Sequence, residues 1–211
     1  MSYSQSTMES MGEMNSGWGI CGFTSCLYAM YDTNPAARRC LAAAPQAWSV
    51  LYEIEEYLET LKQQGGTQLI GQIEAFTRTF NGFSSFTVDN YIKYIRENWN
   101  KYATTNSGDM NAAIKKDSKF SIGMPPDAVV DYLKRMWKVD ATSQSTGSSS
   151  DGIVGVKDVS DKTMVLYDGL RHYLYQKNGK IYSWGKVFGS VQEAGTQFAG
   201  RNYSVCCMIT F

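Results

Sequence analysis

Apolar residues recur with a helical period through the first two thirds of the chain. Phe23, Cys26 and Met30, for example, fall on one face of a helix. Gly65-Gly66 is a strong helix stop, and Thr87 is a favourable N-cap residue. Besides the first helix, this stretch predicts helices over residues 45–64, 67–80 and 87–102 and one that begins at Pro125-Pro126-Asp127.

The pattern changes after residues 141–152, whose sequence ATSQSTGSSSDG predicts an exposed loop or a linker between lobes. The chain beyond is rich in β-branched and aromatic residues, and Asn178-Gly179 predicts a type I′ hairpin turn. A short helix is predicted over residues 191–198. The predicted strands are residues 153–159, 163–167, 172–176, 180–184 and 203–211.

These patterns predict an α+β fold in one domain with four parts. The parts are a flexible N-terminus over residues 1–14, a helical lobe over 15–140, the Ser/Gly-rich loop over 141–152 and a β-rich lobe over 153–211. The polar N-terminal segment lacks the basic and apolar regions of a Sec signal peptide. No apolar run has the length of a membrane-spanning helix. We therefore expect a protein made in the cytoplasm, without a membrane span.

Charge and cysteine content exclude other classes of function. The 20 basic residues balance the 20 acidic ones, so no net field attracts nucleic acid. The five cysteines and single histidine lack the spacing of a zinc site, so we expect neither a metal nor a cofactor. Free thiols fit a reducing compartment best, and one disulfide remains compatible with the sequence.

Cys21 is the strongest candidate for chemistry. It follows Gly17-Trp18-Gly19-Ile20 and opens the first predicted helix, where free N–H groups and the helix dipole favour a thiolate. Cys26 lies one turn deeper on the apolar stripe, and the remaining cysteines, at positions 40, 206 and 207, lie in apolar segments typical of structural residues. The pattern therefore favours Cys21 as a nucleophile over the other cysteines.

The run Cys21-Gly22-Phe23-Thr24-Ser25-Cys26-Leu27-Tyr28-Ala29-Met30 resembles the segment that opens the central helix in C39-like and other papain-like cysteine peptidases. Those families place a glutamine or asparagine about six positions before the nucleophile to complete the oxyanion hole. In this chain that position holds Asn15. The resemblance implies a papain-like fold, with a nucleophile helix followed by an antiparallel β-sheet, and an oxyanion role for Asn15.

The chain's one histidine, His172, follows the helical region and begins a predicted strand with an aromatic and aliphatic run, His172-Tyr173-Leu174-Tyr175. Papain-like enzymes place their general base in the same order after the cysteine. The resemblance therefore implies that His172 is the base for Cys21.

The residue that orients the imidazole stays open between three hypotheses. Tyr182-Ser183-Trp184-Gly185 resembles the Asn-Ser-Trp-Gly run of papain with Tyr in place of Asn, and alignment with YopT-type effectors puts Ser183 at the acid position. Ser183 can accept a hydrogen bond from the imidazole, more weakly than a charged group would. Asp168 is a second candidate, although Asp168-Gly169 also reads as a turn. The third hypothesis is a catalytic dyad of Cys21 and His172 without an orienting residue.

The resemblance implies a cysteine peptidase or amidase that hydrolyses a peptide or amide bond through a thioacyl-enzyme. Its expected substrates are a peptide, a protein or peptidoglycan. Family habit suggests a secreted bacterial effector or antibacterial toxin, exported by a specialised secretion system, with an immunity protein or chaperone as partner. The alternatives are a peptidoglycan amidase or endopeptidase of NlpC/P60 type and a catalytically degenerate papain-like binding module. Trp18 and Trp184 are candidates to line the cleft.

Overall fold

A computed structural model of the chain describes residues 12–15, 19–33, 47–103, 107–145 and 150–211. Its helices are α1 (Cys21–Thr33), α2 (Ala47–Gln63), α3 (Thr67–Arg78), α4 (Val88–Ala103), α5 (Ser107–Lys116), α6 (Pro126–Trp137) and the single turn α7 (Val191–Ala194). Its strands are β1 (Thr142–Gln144), β2 (Gly152–Asp158), β3 (Leu170–Lys177), β4 (Lys180–Ser183), β5 (Lys186–Phe188) and β6 (Tyr203–Thr210).

The six strands form one antiparallel sheet in the order β1-β6-β2-β3-β4-β5. Alternate residues of each strand face opposite sides of a sheet, and two apolar clusters follow this rule. Ile153 and Tyr173 belong to the larger cluster, which includes α1 and the other helices. Val154 and Leu174 belong to a smaller cluster, which α7 covers on the other face. Helices followed by an antiparallel sheet confirm the predicted α+β class.

Helix α1 is the centre of the helical layer. Ten consecutive residues, from Gly22 to Tyr31, are buried, so every face of the helix contacts protein. A helix that is apolar on all sides belongs in the interior of a protein. Helix α1 packs against β3 on one side and α6 on another, which brings the start of α1 close to the histidine strand.

Local signals account for much of the predicted structure. Gly65 adopts a left-handed conformation after α2, and the Gly66 amide donates to the Leu61 carbonyl, as expected for a helix stop. The Asn90 amide donates to the Thr87 hydroxyl at 3.2 Å, which confirms the N-cap of α4. The Asn178-Gly179 turn joins β3 to β4, and both residues have positive φ angles, as a type I′ turn requires.

The strand predicted over residues 163–167 is wrong. Asp158 and Asp161 accept hydrogen bonds from the amides two residues ahead of them, and these side-chain turns redirect the chain after β2. The segment then forms a 3₁₀ turn, Leu166–Gly169, in which Tyr167 and Asp168 are left-handed. Local side-chain hydrogen bonds therefore outweigh the β propensity of this stretch.

Four elements depart from the predicted boundaries. Strand β1 lies inside the predicted loop over residues 141–152, where it pairs with the end of β6, and β5 and α5 were not predicted. Residues 12–15 form a helical turn with Met14 buried, and the rest of the predicted flexible N-terminus, residues 1–11, lies outside the described residues. Cys40 and Trp18 lie outside the described residues, and the four described cysteines are free thiols.

Candidate active site

The loop before Cys21 is fixed from two sides. The Asn15 side-chain oxygen accepts a hydrogen bond from the Ile20 amide at 3.0 Å. The Gly19 amide donates to the Ser121 hydroxyl at 2.9 Å, and the Gly19 carbonyl accepts from the Ile122 amide at 3.0 Å. Asn15 is a local anchor, whereas Ser121 is 102 residues away from Gly19 in sequence, so the tertiary structure fixes this loop as well.

Gly22 allows α1 to approach the segment that leads into α6. A Cβ atom on Gly22 would lie 2.8 Å from Met124 Cβ and 2.9 Å from its sulfur. Such contacts are shorter than van der Waals separation, so a larger residue would force the helix and this segment apart. The glycine after the cysteine therefore has a packing role in addition to its position at the helix start.

The environment of Cys21 differs from the sequence-based expectation of a lowered thiol pKa. Burial raises the pKa of Cys21 to about 11, because the thiolate loses its hydration. Backbone hydrogen bonds from Tyr173, Gly22 and Cys21 itself lower the pKa, but they do not compensate for the burial. The thiol is therefore protonated at neutral pH, and the expectation from the helix terminus alone is wrong.

His172 is held on β3 by two neighbouring side chains. Its Nε2 lies 2.9 Å from the Ser183 hydroxyl oxygen, and both residues are buried. The indole of Trp184 stacks on the imidazole with ring centroids 4.4 Å apart and planes 3° apart. The ring of Tyr203 is also stacked against the imidazole, with ring centroids 6.3 Å apart. The imidazole therefore has a fixed position and orientation.

The turn between β4 and β5 places the indole over the imidazole. Trp184 and Gly185 are the two residues of this turn, and their φ angles are 48° and 73°. Two positive φ angles identify a type I′ turn, which is unusual for a residue as bulky as tryptophan. The Gly185 amide also donates to the Tyr28 hydroxyl of α1 at 3.2 Å, which ties the turn to the helix that begins at Cys21.

Burial lowers the pKa of His172 to about 3, because the imidazolium ion would lose its hydration in this site. With the thiol pKa near 11, Cys21 and His172 are both neutral at pH 7. Neutral imidazole has a free lone pair, so it can accept a proton. A neutral His172 is therefore in the state that a general base requires.

Asp168, the second candidate for orienting His172, points elsewhere. Its carboxylate accepts a hydrogen bond from Lys157 Nζ at 2.7 Å, and its side chain is 66% exposed. It does not line the cavity described next. Of the two candidates named from the sequence, Ser183 is the one that the fold brings to the imidazole.

A cavity of about 340 Å³ contains Asn15, Cys21 and His172 in its wall. The three residues that the sequence indicated as candidates for catalysis therefore line the same cavity. Local patterns did not indicate Tyr203, Arg171, Arg201 or Ser121, which also line it. The other lining residues are Gly19, Phe76, Thr77, Phe80, Phe83, Ile122, Gly123, Met124, Leu170, Tyr173 and Trp184.

Comparisons with protein families, curated proteins and solved structures find no match for this chain. Within the described ranges, no group of three or more histidine, cysteine or acidic residues is placed to hold a metal ion. In the same part of the chain, no helix has both the length and the apolar character needed to cross a membrane.

Proposed function

We propose that this protein is a cysteine hydrolase that cleaves a peptide or amide bond. One observation carries the proposal: Cys21 at the start of α1 and a rigidly held His172 line the same cavity. A helix that begins with cysteine and packs against an antiparallel sheet with histidine supports a papain-like arrangement. The sequence resemblance supports the further proposal of a secreted bacterial effector or toxin.

In the proposed mechanism, His172 Nε2–H donates to the Ser183 hydroxyl, so that the lone pair of Nδ1 accepts the thiol proton. The sulfur of Cys21 attacks the substrate carbonyl carbon, and the carbonyl oxygen becomes an oxyanion. His172 then gives the proton to the leaving amine. Water, deprotonated by His172, attacks the resulting thioester and releases an acid and the thiol.

Asn15 is placed to stabilise the oxyanion. Its side-chain oxygen is already fixed by the Ile20 amide, so its NH₂ group is the end left to donate to a ligand. Asn15 is buried and lines the cavity, and the Cys21 amide at the first position of α1 provides a second donor. These two donors form the proposed oxyanion hole.

A second candidate function is a noncatalytic binding module. The raised pKa of Cys21, caused by burial, favours it, since a protonated thiol is a poor nucleophile without a base. The two functions differ in whether His172 activates the thiol. A thiol-directed irreversible inhibitor distinguishes them.

The experiment compares the rate at which iodoacetamide alkylates Cys21 at pH 7 in the wild type, His172→Ala and His172→Gln. Peptide mass spectrometry assigns each modified cysteine, and the buried Cys26 is an internal control for unfolding. General-base catalysis predicts that Cys21 reacts at least about 100-fold faster in the wild type. His172→Gln keeps a polar side chain beside Ser183, so it separates the loss of a base from the loss of packing. Equal, slow alkylation in all three folded proteins would contradict the enzyme proposal.

A further inference from the structure

Two arginines stand in the wall of the cavity that holds Cys21. Arg171 directly precedes His172, and Arg201 lies two residues before Tyr203. Among the described residues that line the cavity, none is acidic. The wall therefore presents two guanidinium groups and no carboxylate.

Acidic residues outside the cavity hold both guanidinium groups. Arg171 Nη2 donates to the Asp161 carboxylate and, at 3.0 Å, to the Thr163 hydroxyl. Arg201 Nη1 donates to the Asp158 carboxylate at 3.1 Å. Both aspartates belong to the end of β2 and the turns that follow it, so one segment positions both cations.

These contacts leave guanidinium donors for a ligand. The described bonds of Arg171 use Nη2, which leaves its Nη1 without a hydrogen bond to the described part of the chain. The described bond of Arg201 uses Nη1, and its side chain is 46% exposed. Arginine presents its donors in a planar fork that matches the two oxygens of a carboxylate.

Tyr203 shows that the arginines lie near the reacting groups. Its ring stacks beside His172, and burial raises its pKa to about 12. The positive charges of Arg201 and Arg171 lower the pKa of Tyr203, while a negative charge on Cys21 raises it. The tyrosine is thus within electrostatic range of both cations and of the nucleophile.

Another part of the wall is aromatic. Phe76 and Phe80 pack edge to face with ring centroids 5.2 Å apart, and both line the cavity with Phe83. A ligand that fills the site meets aromatic rings on one part of its surface and guanidinium groups on another.

We propose that the cavity selects peptides in which an acidic side chain lies at the residue that supplies the scissile carbonyl, with an apolar side chain next to it. The carboxylate accepts hydrogen bonds from Arg171 and Arg201, and the apolar group packs against the phenylalanines. This specificity rests on the proposed hydrolase function.

The test uses matched peptide chloromethyl ketones, acetyl-Phe-Glu and acetyl-Phe-Gln, with Cys21 alkylation as the readout. We expect the Glu inhibitor to react about tenfold faster, since hydrogen bonds to a charged group are stronger than those to an amide. Arg201→Gln should lower the ratio, because only Arg171 remains to bind the carboxylate, and Arg201→Lys should restore part of the preference. Arg135→Gln, which removes a cation of α6 outside the cavity, should leave the ratio unchanged.

A succinyl-Phe-Gln inhibitor tests whether the position of the carboxylate matters. It has the same charge at its far end, so it should react no faster than acetyl-Phe-Gln. Equal rates for the Glu and Gln inhibitors in the wild type would refute the acidic specificity, while rapid alkylation of Cys21 by both would still support the hydrolase. If succinyl-Phe-Gln alkylated Cys21 as fast as acetyl-Phe-Glu does, the proposed position of the carboxylate would be refuted. If none of the inhibitors reacts with Cys21, the hydrolase proposal and this specificity fail together.

Discussion

The buried imidazole of His172 should make the protein sensitive to mild acid. Its pKa is lowered from 6.5 to about 3 by burial, whereas an unfolded chain has the ordinary value. Between these two values the unfolded state binds one more proton than the folded state. Stability is therefore highest above the unfolded pKa and falls as the pH drops from about 6.5 toward 3.

The size of this effect follows from the pKa shift. Lowering the pH from 7 to 5 protonates the imidazole almost completely in the unfolded state and hardly at all in the folded state. Proton linkage then predicts a loss of about 2 kcal/mol in the free energy of unfolding. Because the chain has one histidine, no other imidazole contributes in this interval.

Urea unfolding of the wild type and His172→Gln at pH 7, 6 and 5, followed by tryptophan fluorescence and circular dichroism, measures the effect. The wild type should lose about 2 kcal/mol more than the variant between pH 7 and 5. Glutamine does not titrate, and every carboxylate is common to both proteins, so the difference isolates His172. Parallel pH dependence in the two proteins would show that the imidazole is hydrated in the folded state and would refute the argument from burial.

Two further predictions concern packing and the orientation of the base. Gly22→Ala should lower the free energy of unfolding by about 1–3 kcal/mol, because its Cβ would overlap Met124. Gly71→Ala on α3, with open space around it, should be neutral or stabilise by up to about 1 kcal/mol. Urea titrations test both variants, and equal effects would contradict the close approach of α1 to Met124. Ser183→Ala should slow Cys21 alkylation about fivefold, which corresponds to one hydrogen bond, whereas Asp168→Asn should leave it unchanged; the reverse order of rates would show that Asp168 orients the imidazole.

The helices and the hairpin could be predicted from short stretches of sequence. Phe23, Cys26 and Met30 mark the buried side of α1 by their spacing, and Gly65-Gly66 and Asn178-Gly179 mark the two chain reversals. These signals act within a few residues, through side-chain periodicity and backbone sterics, so they persist in the folded protein. The predicted strand at 163–167 failed because local hydrogen bonds of Asp158 and Asp161 competed with β propensity.

The candidate site could be predicted partly from the sequence and partly only from the tertiary structure. Sequence order and resemblance alone indicated Cys21, His172 and Asn15, and the fold places all three around one cavity. The sequence left Ser183, Asp168 and no orienting residue as three alternatives, because the run Tyr182-Ser183-Trp184-Gly185 has no Asn or Asp. Strand pairing turns Ser183 toward the imidazole, while Lys157 on the neighbouring strand binds Asp168.

By itself, then, the sequence determined the α+β class and indicated a cysteine at a helix start and a histidine on a later strand as the candidate pair. The tertiary structure alone decided how strongly burial shifts the pKa values of Cys21 and His172 and which arginines line the cavity. A thiol pKa depends on how much water the fold removes from the sulfur, and the helix start did not reveal how far the fold covers Cys21. Arg171 and Arg201 are 30 residues apart along the chain, and they share a wall only because β2, β3 and β6 are neighbours in the sheet.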